Sequence, residues 1–83
     1  MKITVRYFAS IREAIGQGSE AVETAATTLG ALRDELIARG GAHASSLARC
    51  RAVRMALNQT LSDESATLAD GAEVAFFPPV TGG

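Results

Sequence analysis

Residues 27–41, "TTLGALRDELIARGG", hold the one extended helical pattern in the chain. Leu29, Leu32, Leu36 and Ile37 recur at helical spacing and form a single apolar stripe. Thr28 stands where an N-cap side chain would accept the first free amides. Gly40 and Gly41 supply a stop. Glu35 and Arg39 lie four residues apart and are expected to pair on the wet face. A helix with one apolar stripe must bury it against another layer. The flanking sequence has to provide that layer.

It reads as strands on both sides. Upstream, "KITVRYF" (2–8) alternates strictly. Ile3, Val5 and Tyr7 point one way, and Lys2, Thr4, Arg6 and Phe8 the other, which is the signature of a strand with one buried face. "SIREAIG" (10–16) opens with Ser10 and carries Glu13 three positions on, the spacing of a capping box. Gly16 and Gly18 limit this helix to little more than one turn, and "GQGSE" reads as a flexible turn. "EAVETA" (20–25) is a second, short strand.

Downstream, residues 42–51 show no decisive period and read as a loop with a turn of helix. "AVRMALN" (52–58) alternates with Val53, Met55 and Leu57 inward. Asn58-Gln59 reads as a turn, since Asn tolerates positive φ, and Leu61 falls on a very short strand. Asp70-Gly71 is a turn signal. "AEVAFF" (72–77) closes the pattern, with Val74 and Phe76 on one face and Ala75 and Phe77 on the other.

The expected architecture is α+β: a mixed sheet of 4–5 strands covered on one face by one main helix, with the first two strands as a hairpin. All 83 residues form one domain, ending in an extended tail over 78–83. A single helix leaves the second sheet face open. If the first and last strands are neighbours, Phe8 and Phe77 lie close together there, joined by Leu61. Such an apolar cluster marks a partner surface.

Bulk properties narrow the function. The net charge is −1, which argues against nucleic acid, because phosphate binding needs clustered Lys and Arg. No apolar run approaches the roughly 20 residues of a membrane span. The alternating N-terminus lacks the continuous apolar block of a signal peptide. Cys50 is the single cysteine, so no internal disulfide forms, which fits a cytoplasmic protein. Lys2 is the single lysine, and the other seven basic residues are arginine.

Internal residues offer no catalytic set. One histidine, His43, and one cysteine cannot build a conventional zinc site, and no metal is expected. His43 reads as a solvated loop residue. Cys50, between Arg49 and Arg51, reads as an incidental thiol. Asp63-Glu64 reads as a solvated turn. No serine sits in a nucleophile-elbow sequence.

That leaves the ending, "FFPPVTGG" (76–83). Pro78 and Pro79 fix φ and favour an extended exit from the last strand. Gly82 and Gly83 carry no side chains, so a narrow channel can admit them. A C-terminal carboxylate is ionised at neutral pH and resists nucleophilic attack until it is activated.

"YFASIREAIG", "ALNQT" and "LADGAEVAFFPPVTGG" together resemble the small, sulfur-carrier subunits of molybdopterin synthase. The resemblance runs in order along nearly the whole chain and weakens between Ala42 and Arg51. It implies the ubiquitin-like β-grasp fold. It implies that an ATP-dependent partner adenylates the Gly83 carboxylate, which then becomes a thiocarboxylate. Pro78, Pro79, Val80, Thr81 and Gly82 are then the tail inserted into a large subunit. There, sulfur passes to a cyclic pterin precursor to form the molybdopterin dithiolene. It also implies a heterotetramer, with acid–base residues on the large subunit, no permanently bound cofactor, and ATP consumed by the activating partner. Phe8, Leu61 and Phe77 are the expected partner contacts. The alternatives are a sulfur carrier for thiamine or another pathway, and a ubiquitin-like protein modifier.

Overall fold

A computed structural model describes residues 1–79 of the chain. The expectations placed on Val80, Thr81, Gly82 and Gly83 lie outside the described residues.

Five strands and three helices follow one another: β1 (Lys2–Tyr7), α1 (Ala9–Ile15), β2 (Ser19–Glu23), α2 (Leu29–Ile37), α3 (Gly41–Leu47), β3 (Arg54–Leu57), β4 (Thr60–Ser62) and β5 (Glu73–Phe77). The sheet order is β2-β1-β5-β3-β4. β1 pairs antiparallel with β2 and parallel with β5. β3 pairs antiparallel with both β5 and β4. This mixed sheet is the β-grasp arrangement that the resemblance implied.

Alternation does the sorting. Ile3, Val5 and Tyr7 of β1 are at most 1% exposed, as are Val74 and Phe76 of β5. Ile11 of α1, Leu29, Leu32 and Leu36 of α2 and Leu47 of α3 complete one core cluster. All three helices therefore cover the same sheet face. α2 is the main one, and α1 and α3 widen the cover.

Two turns set the strand register. Asn58 and Gln59 both adopt positive φ (49° and 70°), giving the tight β3–β4 hairpin. Asn58 also fixes β5, because its Oδ1 accepts from Glu73 N at 3.0 Å. At the other turn Gly71 has φ 84°. Its amide donates to Lys2 O at 2.8 Å, while Asp70 Oδ1 accepts from Lys2 N at 2.7 Å. These bonds start the parallel β1–β5 ladder.

α1 begins earlier than expected. Phe8 is its N-cap, in extended conformation and with no side-chain cap bond, and the helix runs seven residues. The Ser10–Glu13 capping box does not form. Phe8 N still donates to Phe76 O at 3.1 Å, so the chain stays in the sheet up to Phe8. Ala9 then turns sharply at φ 52°. Ser10 is already inside the helix.

α2 is capped as read, with Ala31 N donating to Thr28 Oγ1 at 3.2 Å. Its first-turn amides meet the 64–66 segment: Leu29 N donates to Ala66 O at 3.1 Å and Gly30 N to Glu64 O at 3.0 Å. The Glu35–Arg39 pair does not form. Glu35 accepts from the Thr24 hydroxyl at 2.7 Å, and Arg39 donates to Glu20 at 2.7 Å. Both groups find partners on neighbouring elements that are less solvated than the outer helix face.

Residues 41–47 form the seven-residue helix α3, where a loop with a turn of helix was expected. The carbonyls at its C-terminal end are claimed by Arg33 of α2, a residue only 4% exposed. Arg33 Nε donates to Leu47 O at 2.7 Å, and Nη2 to Ala48 O at 2.8 Å and Arg51 O at 3.2 Å. Helix ends need such partners. Here an arginine from another helix provides them.

Candidate docking face and tail root

The open sheet face is built row by row from the strand register. Arg6 of β1 lies beside Ala75 of β5, Ala75 beside Ala56 of β3, and Ala56 beside Leu61 of β4. In the neighbouring row, Phe77 of β5 faces Arg54 of β3. Phe8 extends the line of Arg6 at the same end of β1. Phe8, Phe77 and Leu61 therefore share one face, as the alternation required. Phe8 is 39% exposed and Leu61 60% exposed, while Phe77 is half-buried and Phe76 fully buried. Small alanines at 56 and 75 leave the surface between the large side chains low and flat.

Two arginines frame this apolar patch. The Arg6 guanidinium stands 5.3 Å above the Phe8 ring, a cation–π contact, and lies 3.9 Å from Glu73. Arg54 is exposed beside Phe77. It also lines an open groove with Val53, Met55, Leu61 and residues 62–65. Sequence reading placed Arg6 on this face but passed over Arg54. The same alternation that turned Val53 and Met55 inward should have turned Arg54 outward.

β5 ends at Phe77, and half-buried Pro78 and Pro79 follow it. β1 and β5 run parallel, so the root of the tail emerges at the end of the sheet that carries Phe8. The apolar patch of the open face and the tail root are thus neighbours.

A second polar centre sits under the helices. Glu20 accepts from Tyr7 OH at 2.7 Å and from Arg39 Nη1 at 2.7 Å, and lies 3.0 Å from His43 Nε2. Burial alone would raise the Glu20 pKa. The hydrogen bonds from Arg39, Tyr7 and His43 outweigh it and hold the carboxyl down to about 2. Burial, followed by the bond to Glu20, pushes the Tyr7 phenol well above its usual range. His43 is not the solvated loop residue expected. It lies on α3, edge-on to the Tyr7 ring at 5.9 Å between centroids, and its side chain is only 17% exposed. The centre ties α3, β1 and β2 together.

Asp63-Glu64 is likewise more than a solvated turn. Glu64 receives Arg49 Nη1 and lies 3.9 Å from Arg33. Arg49 also clamps Asp34 through Nε at 3.0 Å and Nη2 at 2.9 Å. Cys50, between Arg49 and Arg51 in sequence, is exposed and free. Among the described residues no group of three or more His, Cys, Asp or Glu could hold a metal ion, and no helix is long and apolar enough to cross a membrane. The polar clusters are engaged in joining elements.

Comparison with known proteins agrees with this geometry. The pattern of the ThiS family matches residues 5–83. The molybdopterin synthase sulfur carrier subunit of Escherichia coli (strain K12) is 42% identical over 81 residues, covering 98% of this chain and 99% of that one. The crystal structure of SAMP1 from Haloferax volcanii superposes with a TM-score of 0.78 at 25% identity, covering 100% of both chains. A complex of subunits 1 and 2 of molybdopterin-converting factor from Helicobacter pylori 26695 gives a TM-score of 0.71 at 28% identity, again covering 100% of both chains. A β-grasp sheet with one open face, matched from end to end in sequence, makes this chain a member of the ThiS family, akin to the sulfur carrier subunits of molybdopterin synthase.

Proposed function

We propose that this chain is the sulfur-carrier subunit of a molybdopterin synthase. The observation that carries the reading is the end-to-end match to a carrier subunit at 42% identity. The apolar open face beside the tail root supports it. In this role the Gly83 carboxylate attacks the α-phosphate of ATP on an adenylating partner, releasing pyrophosphate. Sulfide from a sulfur donor then attacks the acyl-adenylate carbonyl, AMP departs, and a thiocarboxylate is left. The face bearing Phe8, Leu61 and Phe77 docks on the large subunit, and the tail from Pro78 to Gly82 carries the sulfur to the pterin precursor. The chain supplies sulfur, and the acid–base groups belong to the large subunit. Two carriers and two large subunits make a heterotetramer in the cytoplasm.

Co-expression with the adenylating enzyme and a sulfur source tests this. Intact-mass spectrometry should find one terminal oxygen replaced by sulfur, and the product should sulfurate the pterin precursor when mixed with the large subunit. A carboxylate that stays unmodified, together with no transfer, defeats the proposal. The likeness to SAMP1 favours a second reading, a protein modifier. Isopeptide-linked adducts in cell lysate would support that reading instead.

A further inference from the structure

The docking face is not uniformly apolar. A partner that covers Phe8, Phe77 and Leu61 must also cover Arg6 and Arg54, which stand in the same two rows. Removing a guanidinium from water is costly unless an acceptor replaces the water. The two arginines differ in what this chain already offers them. Arg6 has Glu73 at 3.9 Å and the Phe8 ring at 5.3 Å. Arg54 makes no ion pair among the described residues. Its strand neighbour is the Phe77 ring, which contributes no carboxylate. The carboxylates nearest in sequence along the adjoining groove are Asp63 and Glu64. Asp63 accepts from Ser65 N at 2.9 Å and from Ser65 Oγ. Glu64 is held by Arg49 and lies near Arg33. Glu73 and Glu23, the other acids of this face, belong to rows nearer the start of β1.

We infer that Arg54 is a specificity determinant of the docking face, and that the partner's surface is apolar at its centre and carries a carboxylate seated against Arg54 at the rim. Arg6 adds a second, partly satisfied positive point on the far side of Phe77. Charge complementarity of this kind selects partners and steers their approach, and salt weakens it. A partner with an unbroken apolar surface would leave Arg54 buried and unpaired, and is rejected. The inference rests on the proposed carrier role, because the occupant it names is the large synthase subunit.

The test compares binding of the full-length protein, Arg54→Met and Arg54→Glu to the large subunit from the same genome, at low and high salt. Methionine keeps the length and apolar stem of arginine without its charge, and the exposed position leaves the fold intact, as thermal melts will check. Arg54→Met should weaken binding about tenfold at low salt and flatten the salt dependence. Arg54→Glu should weaken it by on the order of a hundredfold, with salt partly restoring affinity by screening the repulsion. If Arg54→Met binds as well as or better than the parent with an unchanged salt slope, the inference is overturned while the carrier role stands. If the unaltered protein fails to bind the large subunit at all, the carrier role and the inference fall together.

Discussion

Phe76 and Phe77 are adjacent, identical in chemistry and opposite in duty. Phe76 is fully buried and stacks 6.3 Å from the Tyr7 ring in the core, whereas Phe77 points to the open face. Phe76→Ala should cost about 3–5 kcal/mol of stability through lost burial and the cavity left behind. Phe77→Ala should leave the thermal midpoint near that of the parent and instead weaken binding to the large subunit. Melts and binding curves for the pair check both expectations, and reversed rankings would mean that the two faces are exchanged. Gly30 makes a different single-residue case. In an exposed helix Gly→Ala is worth about 1 kcal/mol of stabilisation. Here the new Cβ would stand 2.9 Å from Glu64 Oε1, 3.1 Å from Glu64 Cβ and 3.3 Å from Glu64 O. The carboxylate end can swing away, but the Cβ and the carbonyl, held by the Gly30 amide at 3.0 Å, cannot. Overpacking costs about 1–3 kcal/mol, so Gly30→Ala should lower the melting temperature, opposite to its effect on an open helix.

Among the elements, α3 depends most on polar contacts made elsewhere in the chain. It contributes Leu47 to the core, and its other anchors are Arg33 at its C-terminal end and Glu20 against His43. The Glu20 carboxyl is held at about 2 against an ordinary 4.5. A depressed carboxyl stabilises the fold fully above its unfolded pKa and loses that contribution as pH falls through the folded one. Stability should therefore decline between about pH 4.5 and pH 2. Glu20→Gln should be less stable at neutral pH and should remove much of that decline, as melts taken across this range will show. These contacts also explain which elements the sequence revealed. Alternation exposed β1, β3 and β5, and the leucine stripe exposed α2, because each buries its own apolar side chains. α3 carries one large apolar residue among glycine, alanine and serine, so its stability comes from Arg33 and Glu20, both distant in sequence. No local pattern announces it. The same non-local origin hid the role of His43, displaced the expected Glu35–Arg39 pair, and let the β1–β5 ladder override the capping box at Ser10.

At the scale of the whole molecule, the parallel pairing of β1 with β5 is the decisive feature, because it puts Phe8 and the root of the tail at one end of the sheet. The patch itself was legible from the alternation of the first and last strands. That Phe8 joins Phe77 beside the tail root depended on strand order, which periodicity does not encode. Docking and delivery are thereby separable in the proposed carrier. Docking belongs to the face of Phe8, Leu61, Phe77, Arg6 and Arg54, and delivery to the carboxyl of Gly83. Adding one alanine after Gly83 moves the carboxyl one residue on and attaches a methyl group to what must enter a narrow channel. The extended protein should melt with the parent and bind the large subunit with nearly unchanged affinity, since the face is untouched. Thiocarboxylate formation and pterin sulfuration should fall by orders of magnitude. Mass spectrometry after activation reads the first step, and single-turnover transfer with the large subunit reads the second. If the extended protein transfers sulfur at the parent's rate, the terminal carboxyl of Gly83 is not the reactive group. If it loses binding and transfer together, docking runs through the tail and not through the sheet.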